Sequence, residues 1–99
     1  MKTRNIRLEI KFWGAVLTSH VFLENQEIGF WAYNASKKIY FKDLPGYSID
    51  GPLDVKMTCK GKDGASATLT VKIEGQEDET LRCTSEDGFG EKSKSITIK

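Results

Sequence analysis

A chain of 99 residues is long enough to build one hydrophobic core and too short for two. Its 15 basic and 14 acidic side chains leave a formal net charge of +1, which excludes the strong basic field typical of nucleic-acid-binding proteins. No apolar run approaches the roughly 20 residues that cross a bilayer, so no membrane span is expected. We therefore predict a single domain over residues 1–99, either cytoplasmic or extracytoplasmic with its export signal removed.

Apolar and polar residues alternate along most of the chain, and no stretch of helical length keeps apolar residues three and four positions apart. This pattern predicts about eight β-strands joined by short loops, with longer irregular links at 44–52 and 85–92. The predicted strands are 5–12, 15–23, 27–33, 38–43, 53–60, 66–74, 79–84 and 93–98.

The lengths of the hairpin loops in the first half decide whether neighbouring apolar faces match. Two-residue turns at 13–14 and 25–26 and a four-residue loop at 34–37 all place the apolar residues on one face. The resulting pairs are Phe12 with Ala15, Ile10 with Leu17, Ile6 with Val21, Leu23 with Ile28 and Phe30 with Phe41.

In the second half a three-residue loop at 62–64 sets Met57 against Leu69 and Val55 against Val71. The chain then reads as two four-stranded antiparallel meanders, 5–43 and 53–98, each with one apolar face. Burying both faces against each other predicts an immunoglobulin-like β-sandwich. A small up-and-down β-barrel uses the same alternation and is the alternative fold.

Cys59 and Cys83 both fall on the predicted inner face of the second meander. Because strand 66–74 would separate them, their Cα atoms would lie beyond the ~7 Å limit for a disulfide, so we expect two buried free thiols. If their strands belong instead to different sheets, an inter-sheet bridge can form. No second cysteine or histidine sits near either of them, unlike a zinc site.

No catalytic arrangement is recognisable in the sequence. His20 is the only histidine, and on the predicted register no serine or cysteine nucleophile faces it. The segment 88–93 lacks the Gly-Lys-Ser order of a phosphate-binding loop and reads as a flexible turn. We therefore expect no enzyme activity, no cofactor and no metal site.

The outer face of the first meander is unusually aromatic on the predicted register. Large apolar side chains on a face that is predicted to be solvent-exposed indicate that another segment covers this face, or that it binds a protein partner or a ligand. We interpret the chain as a non-catalytic binding or interaction module that engages a protein partner or self-associates through this face. The alternatives are a structural domain of a larger assembly with the face covered, and a carbohydrate-binding module. The candidate binding residues are Arg7, His20, Phe22, Trp31, Tyr33 and Tyr40.

The segment from Phe41 through Pro45 and Gly46 to Tyr47 resembles the strand end and turn of transthyretin-like regulatory domains. The resemblance implies a turn at the start of the 44–52 link. It covers less than a tenth of the chain, and no function is carried over from it.

Overall fold

The computed structural model describes residues 2–99, with the side chain of Leu17 left aside, so the predicted contact between Ile10 and Leu17 lies outside the described side chains. Within this range the chain forms nine β-strands. They are β1 (Lys2–Trp13), β2 (Val16–Leu23), β3 (Gln26–Glu27), β4 (Ala32–Asn34), β5 (Ile39–Ile49), β6 (Leu53–Gly61), β7 (Ser66–Ile73), β8 (Glu79–Thr84) and β9 (Phe89–Ile96).

The strands build two antiparallel sheets that pack face to face. Sheet A has five strands in the order β4-β5-β1-β7-β8, and sheet B has four in the order β3-β2-β6-β9. The predicted β-sandwich is confirmed, and the alternative of a closed barrel is wrong because no hydrogen-bonded ladder joins the two sheets within residues 2–99. Residues 2–99 contain no helix with the length and hydropathy needed to traverse a membrane.

The predicted meanders are wrong in their pairing. β1 pairs with β5 and β7 rather than with β2, and β2 pairs with β6. The chain changes sheets after β1 at Gly14, whose φ of +76° is in the left-handed region that glycine tolerates. Ile6 and Val21 are both buried as expected, but they are not strand partners, because β1 belongs to sheet A and β2 to sheet B.

The same exchange of sheets separates β6 from β7, which the sequence predicts to be a hairpin. Met57 and Leu69 are buried, yet β6 belongs to sheet B and β7 to sheet A. By contrast, β7 and β8 do form a hairpin within sheet A, with Leu69 opposite Leu81. Alternation therefore predicts which side of β6, β7 and β8 is buried, because an arch between sheets preserves the alternation of buried and exposed residues as well as a hairpin does.

One continuous hydrophobic core fills the space between the sheets. It follows the predicted inner faces of β1, β2, β6, β7 and β8, and Ile49, Ile96 and Ile98 extend it at one end. The largest of the fully buried side chains are Leu8, Leu23, Ile49, Leu53, Met57, Leu69, Leu81, Ile96, Val21, Val55, Val71 and Cys59.

Two short hairpins differ from prediction by their register. The turn between β2 and β3 is Glu24-Asn25, both with positive φ, instead of residues 25–26. Positive φ at both turn residues gives a backbone twist that matches the right-handed twist of the two flanking strands. The predicted four-residue loop between β4 and β5 is present, but it spans 35–38, with Asn34 opposite Ile39.

Both predicted irregular links contain strand. β5 runs on to Ile49, and Pro45-Gly46 forms a bulge opposite Asn5, whose Oδ1 accepts a hydrogen bond from the Gly46 N–H at 2.9 Å. The turn implied by the transthyretin-like resemblance is thus a bulge inside β5. In the second link, Asp87-Gly88 forms a tight turn and β9 begins at Phe89 instead of residue 93.

The sandwich is closed on one side, where β8 of sheet A and β9 of sheet B lie close together. Gly90 is buried there, and a Cβ atom at this position would lie 2.3 Å from the Thr84 carbonyl oxygen. Farther along the same side, Lys94 Nζ and Glu79 Oε2 form an ion pair at 2.7 Å between the two edge strands. The approach of the two sheet edges therefore depends on the missing side chain at Gly90.

Cys59 of β6 and Cys83 of β8 are buried free thiols, as expected, although the reasoning that separated them is wrong. They lie on different sheets and face each other across the core, with 3.1 Å between their Sγ atoms. Burial raises the pKa of the Cys83 thiol to about 12, and its hydrogen bond with Cys59 adds to the shift.

Replacing Gly90 by alanine should destabilise the protein by about 2 to 3 kcal/mol, because the added methyl group collides with backbone. Gly29→Ala is the matched control, since a Cβ there meets nothing within 4 Å, and it should stay within about 0.5 kcal/mol of wild type. Urea unfolding measures both. Equal losses in the two variants would contradict the close approach of β8 and β9.

Alkaline pH should destabilise the reduced protein through Cys83. The unfolded chain ionises this thiol near its ordinary pKa of 9.0, whereas the folded chain holds the proton up to about 12. The free energy of unfolding therefore falls as pH rises across this interval. Burial and the Glu24 charge also raise the pKa of Tyr47. Because Tyr47 is present in both wild type and the Cys83→Ala variant, the comparison of the two isolates the contribution of Cys83. Urea unfolding under reductant should show a steeper decline in wild type, and parallel pH profiles would contradict the assignment.

Candidate functional site

The six predicted binding residues do not share one face. Arg7 lies on the outer face of sheet A, and His20 and Phe22 lie on the outer face of sheet B. The other three, Trp31, Tyr33 and Tyr40, lie at the open side of the sandwich, away from β8 and β9. The role of these six residues in binding stays a prediction. Their predicted position together on the outer face of one sheet is wrong.

Arg7 is held by its neighbours within the sheet. Its guanidinium contacts Glu9 Oε2 at 2.9 Å and Asp43 Oδ1 at 3.2 Å, and it lies 4.3 Å above the ring of Phe41. Lys72 Nζ reaches the second oxygen of Glu9 at 3.4 Å. Burial alone would raise the pKa of Glu9, but the Arg7 hydrogen bond and the nearby Lys72 charge lower it below its ordinary value. The network therefore holds the Arg7 guanidinium against the outer face of sheet A.

His20 and Phe22 form a separate small group on sheet B. His20 Nδ1 lies 2.9 Å from Glu27 Oε2, and its ring centroid is 6.5 Å from that of Phe22. Lys56 Nζ lies 5.8 Å from the Phe22 ring centroid on the other side. Since these contacts join β2 to its neighbours β3 and β6, they stabilise strand pairing across the sheet.

Tyr40 points to the inner side because β1 sets the register of β5. In sheet A, Ile10 lies between Tyr40 on β5 and Leu69 on β7, and Ile10 and Leu69 are buried. Alternation cannot distinguish the faces of β5 here, since Ile39 and Phe41 are as apolar as Tyr40 and Leu44. The predicted orientation of this strand, with Phe41 inward, is therefore wrong.

A cleft opens between the sheets on this side, which we name the aromatic cleft. Sheet A contributes β1 and β5 residues, sheet B contributes β2 residues, and the connection from β3 to β4 supplies a tryptophan. The cleft encloses about 220 Å³. It is lined by Ile10, Phe12, Ser19, Val21, Trp31 and Tyr40.

Three aromatic rings build the sheet A wall of the aromatic cleft and its rim. The Tyr40 ring centroid lies 5.5 Å from that of Phe12 and 4.8 Å from that of Tyr33. These separations and the tilted ring planes match favourable aromatic pairing. Phe12 is half-buried, whereas Tyr33 is 52% exposed and Tyr40 is 38% exposed, so the wall leads from the core to the surface.

Trp31 reaches the cleft because the preceding residue adopts a left-handed conformation. Phe30 has φ of +59°, which is rare for a large side chain and costs of order 1 kcal/mol. This backbone sends the Phe30 ring outward, where it is 98% exposed, and turns Trp31 inward. The Trp31 indole N–H donates to the Ile28 carbonyl oxygen at 2.8 Å. The prediction that Phe30 lies inside, opposite Phe41, is wrong.

Two polar groups at the cleft are already paired within the protein. Ser19 Oγ donates to the Thr58 carbonyl oxygen at 2.9 Å, and the Trp31 indole N–H is bound to Ile28. An entering group therefore meets the rings of Phe12, Trp31 and Tyr40 and the aliphatic side chains of Ile10 and Val21, with the Tyr40 hydroxyl as the polar group of that ring. This chemistry suits an apolar group better than a sugar, whose hydroxyls need partners when buried.

From the sequence, Phe12, Val21 and Ile10 were predicted to lie in the core, and their position at an opening was not predicted. The exposure of Phe30 was not predicted either. Gly29 is the residue that could have indicated it, because a glycine inside a predicted strand marks a weak or bent position. It lies in the connection that leaves sheet B for sheet A, immediately before Phe30 and Trp31.

Within residues 2–99, no three histidine, cysteine, aspartate or glutamate side chains are grouped closely enough to hold a metal ion. Comparison of the chain with protein-family models, with curated protein sequences and with solved structures finds no match.

Phe30→Asn should raise the free energy of unfolding by about 0.5 to 1 kcal/mol, because asparagine tolerates a left-handed backbone and the exposed ring loses no burial. Trp31→Ala should lower it by about 2 kcal/mol or more, since it removes a packed ring and an indole hydrogen bond. Thermal and urea unfolding compare the two variants. A loss of stability in Phe30→Asn would contradict the strain at this residue.

Proposed function

We propose that this domain is a non-catalytic binding module whose aromatic cleft receives a large apolar side chain from an extended segment of a partner protein. The observation that carries the proposal is the half-open, ring-lined space between the sheets, where the Ser19 hydroxyl and the Trp31 indole N–H are satisfied internally. The proposal keeps Trp31, Tyr33 and Tyr40 from the sequence-based candidates and adds Phe12 from β1.

The size of the cleft supports a single side chain as its occupant. At about 220 Å³ it is smaller than the roughly 300 to 1,000 Å³ of most small-molecule and cofactor sites. Protein interfaces, by contrast, commonly insert one aromatic or aliphatic anchor into a pocket of this kind, and such anchors account for much of the binding energy.

The surroundings of the cleft offer a second contact for the same segment. Phe30 projects from the neighbouring connection with 98% of its surface exposed, and Lys42 Nζ lies 6.0 Å from its ring centroid. A fully exposed ring held by a strained backbone is costly for a solitary domain and useful at an interface. We therefore include Phe30 as the outer contact, with Lys42 favouring an acidic residue beside the anchor.

Two free stretches at the sheet edges favour side-chain docking over strand addition. β9 carries Lys92 and Lys94, and the stretch of β5 beyond its pairing with β4 contains Pro45, which has no N–H to donate. Charged residues and proline on edge strands oppose pairing with another strand. Self-association through a continuous sheet is accordingly not the proposed mode.

The other functions considered are outcomes of the tests below. A carbohydrate-binding module would bind sugars at the aromatic cleft, and a structural domain would bind nothing there until its assembly covered it. The immunoglobulin-like character expected from the sequence belongs to this proposal as well. Its support is a sandwich of two antiparallel sheets with a facing cysteine pair in the core.

The first test uses small analogues of protein side chains. The chain has two tryptophans. Trp31 lines the cleft, while Trp13 lies on the outer face of sheet A beneath Lys11. In a titration with p-cresol followed by NMR, the indole N–H signal of Trp31 should shift and that of Trp13 should not. Methyl glucoside should shift neither. If the sugar alone shifts the Trp31 signal, the cleft binds a carbohydrate and the proposed protein partner is wrong.

The second test uses a displayed library of random peptides selected on the wild-type domain. Selected peptides should be enriched in large apolar residues, and Ser19→Leu, which fills the cleft, should weaken their binding at least tenfold. Thr18→Leu is the matched control, because Thr18 is the adjacent residue on the opposite face of β2. Phe30→Asn should weaken binding without loss of stability. Equal binding by both leucine variants would contradict the proposed site.

A further inference from the structure

We infer that Cys59 and Cys83 form an inter-sheet disulfide when the chain folds in the presence of a disulfide oxidant, which makes them a covalent cross-link site between sheets A and B. The inference is independent of the aromatic cleft and rests on the core at the closed side of the sandwich.

The two sulfur atoms lie close to the separation that a disulfide needs. They are 3.1 Å apart, about 1 Å more than the ~2.05 Å of a disulfide bond. Cα atoms of β6 and β8 come within 8 Å of one another, although the two strands belong to different sheets. Small side-chain rotations therefore bring the sulfur atoms together without moving either sheet far.

The chain leaves room for the two sulfur atoms. Gly90 lies directly opposite Cys59 in the pairing of β6 with β9, and a Cβ at Gly90 would lie 3.0 Å from Cys83 Sγ. A larger residue at this position would compete with the pair for the same space. The missing side chain thus serves both the approach of the two edges and the placement of the thiols.

The cross-link is a two-electron oxidation of the protein by a small disulfide such as oxidised glutathione. One cysteine thiolate attacks the glutathione disulfide, which forms a mixed disulfide and releases one glutathione. The second thiol loses its proton and attacks the protein sulfur of the mixed disulfide, which releases the second glutathione. The protein loses two hydrogen atoms, and one oxidised glutathione becomes two reduced ones.

Burial decides when this exchange can occur. Both cysteines are 1% exposed, so an oxidant does not reach them in the folded protein. Burial also raises the pKa of Cys83, which keeps its thiol protonated at neutral pH. The exchange therefore accompanies folding, and the finished bond is shielded from reductants in the same way.

Refolding in mixtures of reduced and oxidised glutathione tests the inference. Wild type unfolded in guanidinium and diluted into the oxidising mixture should regain its native circular dichroism spectrum with a mass lower by two hydrogen atoms. It should then take up no maleimide after denaturation. Its melting temperature should exceed that of the reduced form by about 10 °C or more. Folded reduced protein given the same mixture should react far more slowly.

Cys59→Ala and Cys83→Ala are the controls, since each leaves one thiol that either stays free or carries a single glutathione. The inference fails if refolded wild type has a native spectrum and still takes up two maleimides. It also fails if wild type carries glutathione adducts like those of the single variants, or if the cross-linked form lacks the native spectrum. Each of these outcomes is read on wild type itself, so unstable variants do not obscure it.

Discussion

The structure depends on the packing of two inner faces that come from strands distant in the sequence. β1 occupies the middle of sheet A, where Leu8 is paired between Lys42 of β5 and Val71 of β7. In sheet B, β6 lies between β2 and β9. Because most inner residues of both central strands are buried, any change of register there would expose apolar side chains. The positions of the cleft and of the cysteine pair follow from this packing.

The sequence predicted the class of fold and the buried face of most strands for a simple physical reason. Side chains alternate along a strand whatever its neighbour, so Val55 and Val71 were assigned correctly although their strands lie in different sheets. Strand pairing was predicted poorly, because a tight turn and an arch between sheets use the same residue types. Gly14 and the residues around Gly64 serve as arches here.

The candidate site was predicted only in part. Where both faces of a segment are apolar, as from Ile39 to Leu44, alternation gives no orientation, and the neighbouring strand decides. The left-handed backbone at Phe30 is also invisible to a rule based on alternation, since propensity disfavours it. Aromatic composition thus identified Trp31 and Tyr40 as notable, while tertiary packing determined that they face an opening between sheets instead of a flat outer surface.

The central place of β1 has a consequence for how the chain acquires its shape during synthesis. Within this domain β1 is synthesised before β5 and β7, with which it pairs, and β9 pairs with β6, which is synthesised before it. Contacts of such long sequence separation slow folding. We therefore expect the domain to stay unstructured during synthesis until most of its strands have emerged, with the apolar face of β1 available to chaperones in the meantime.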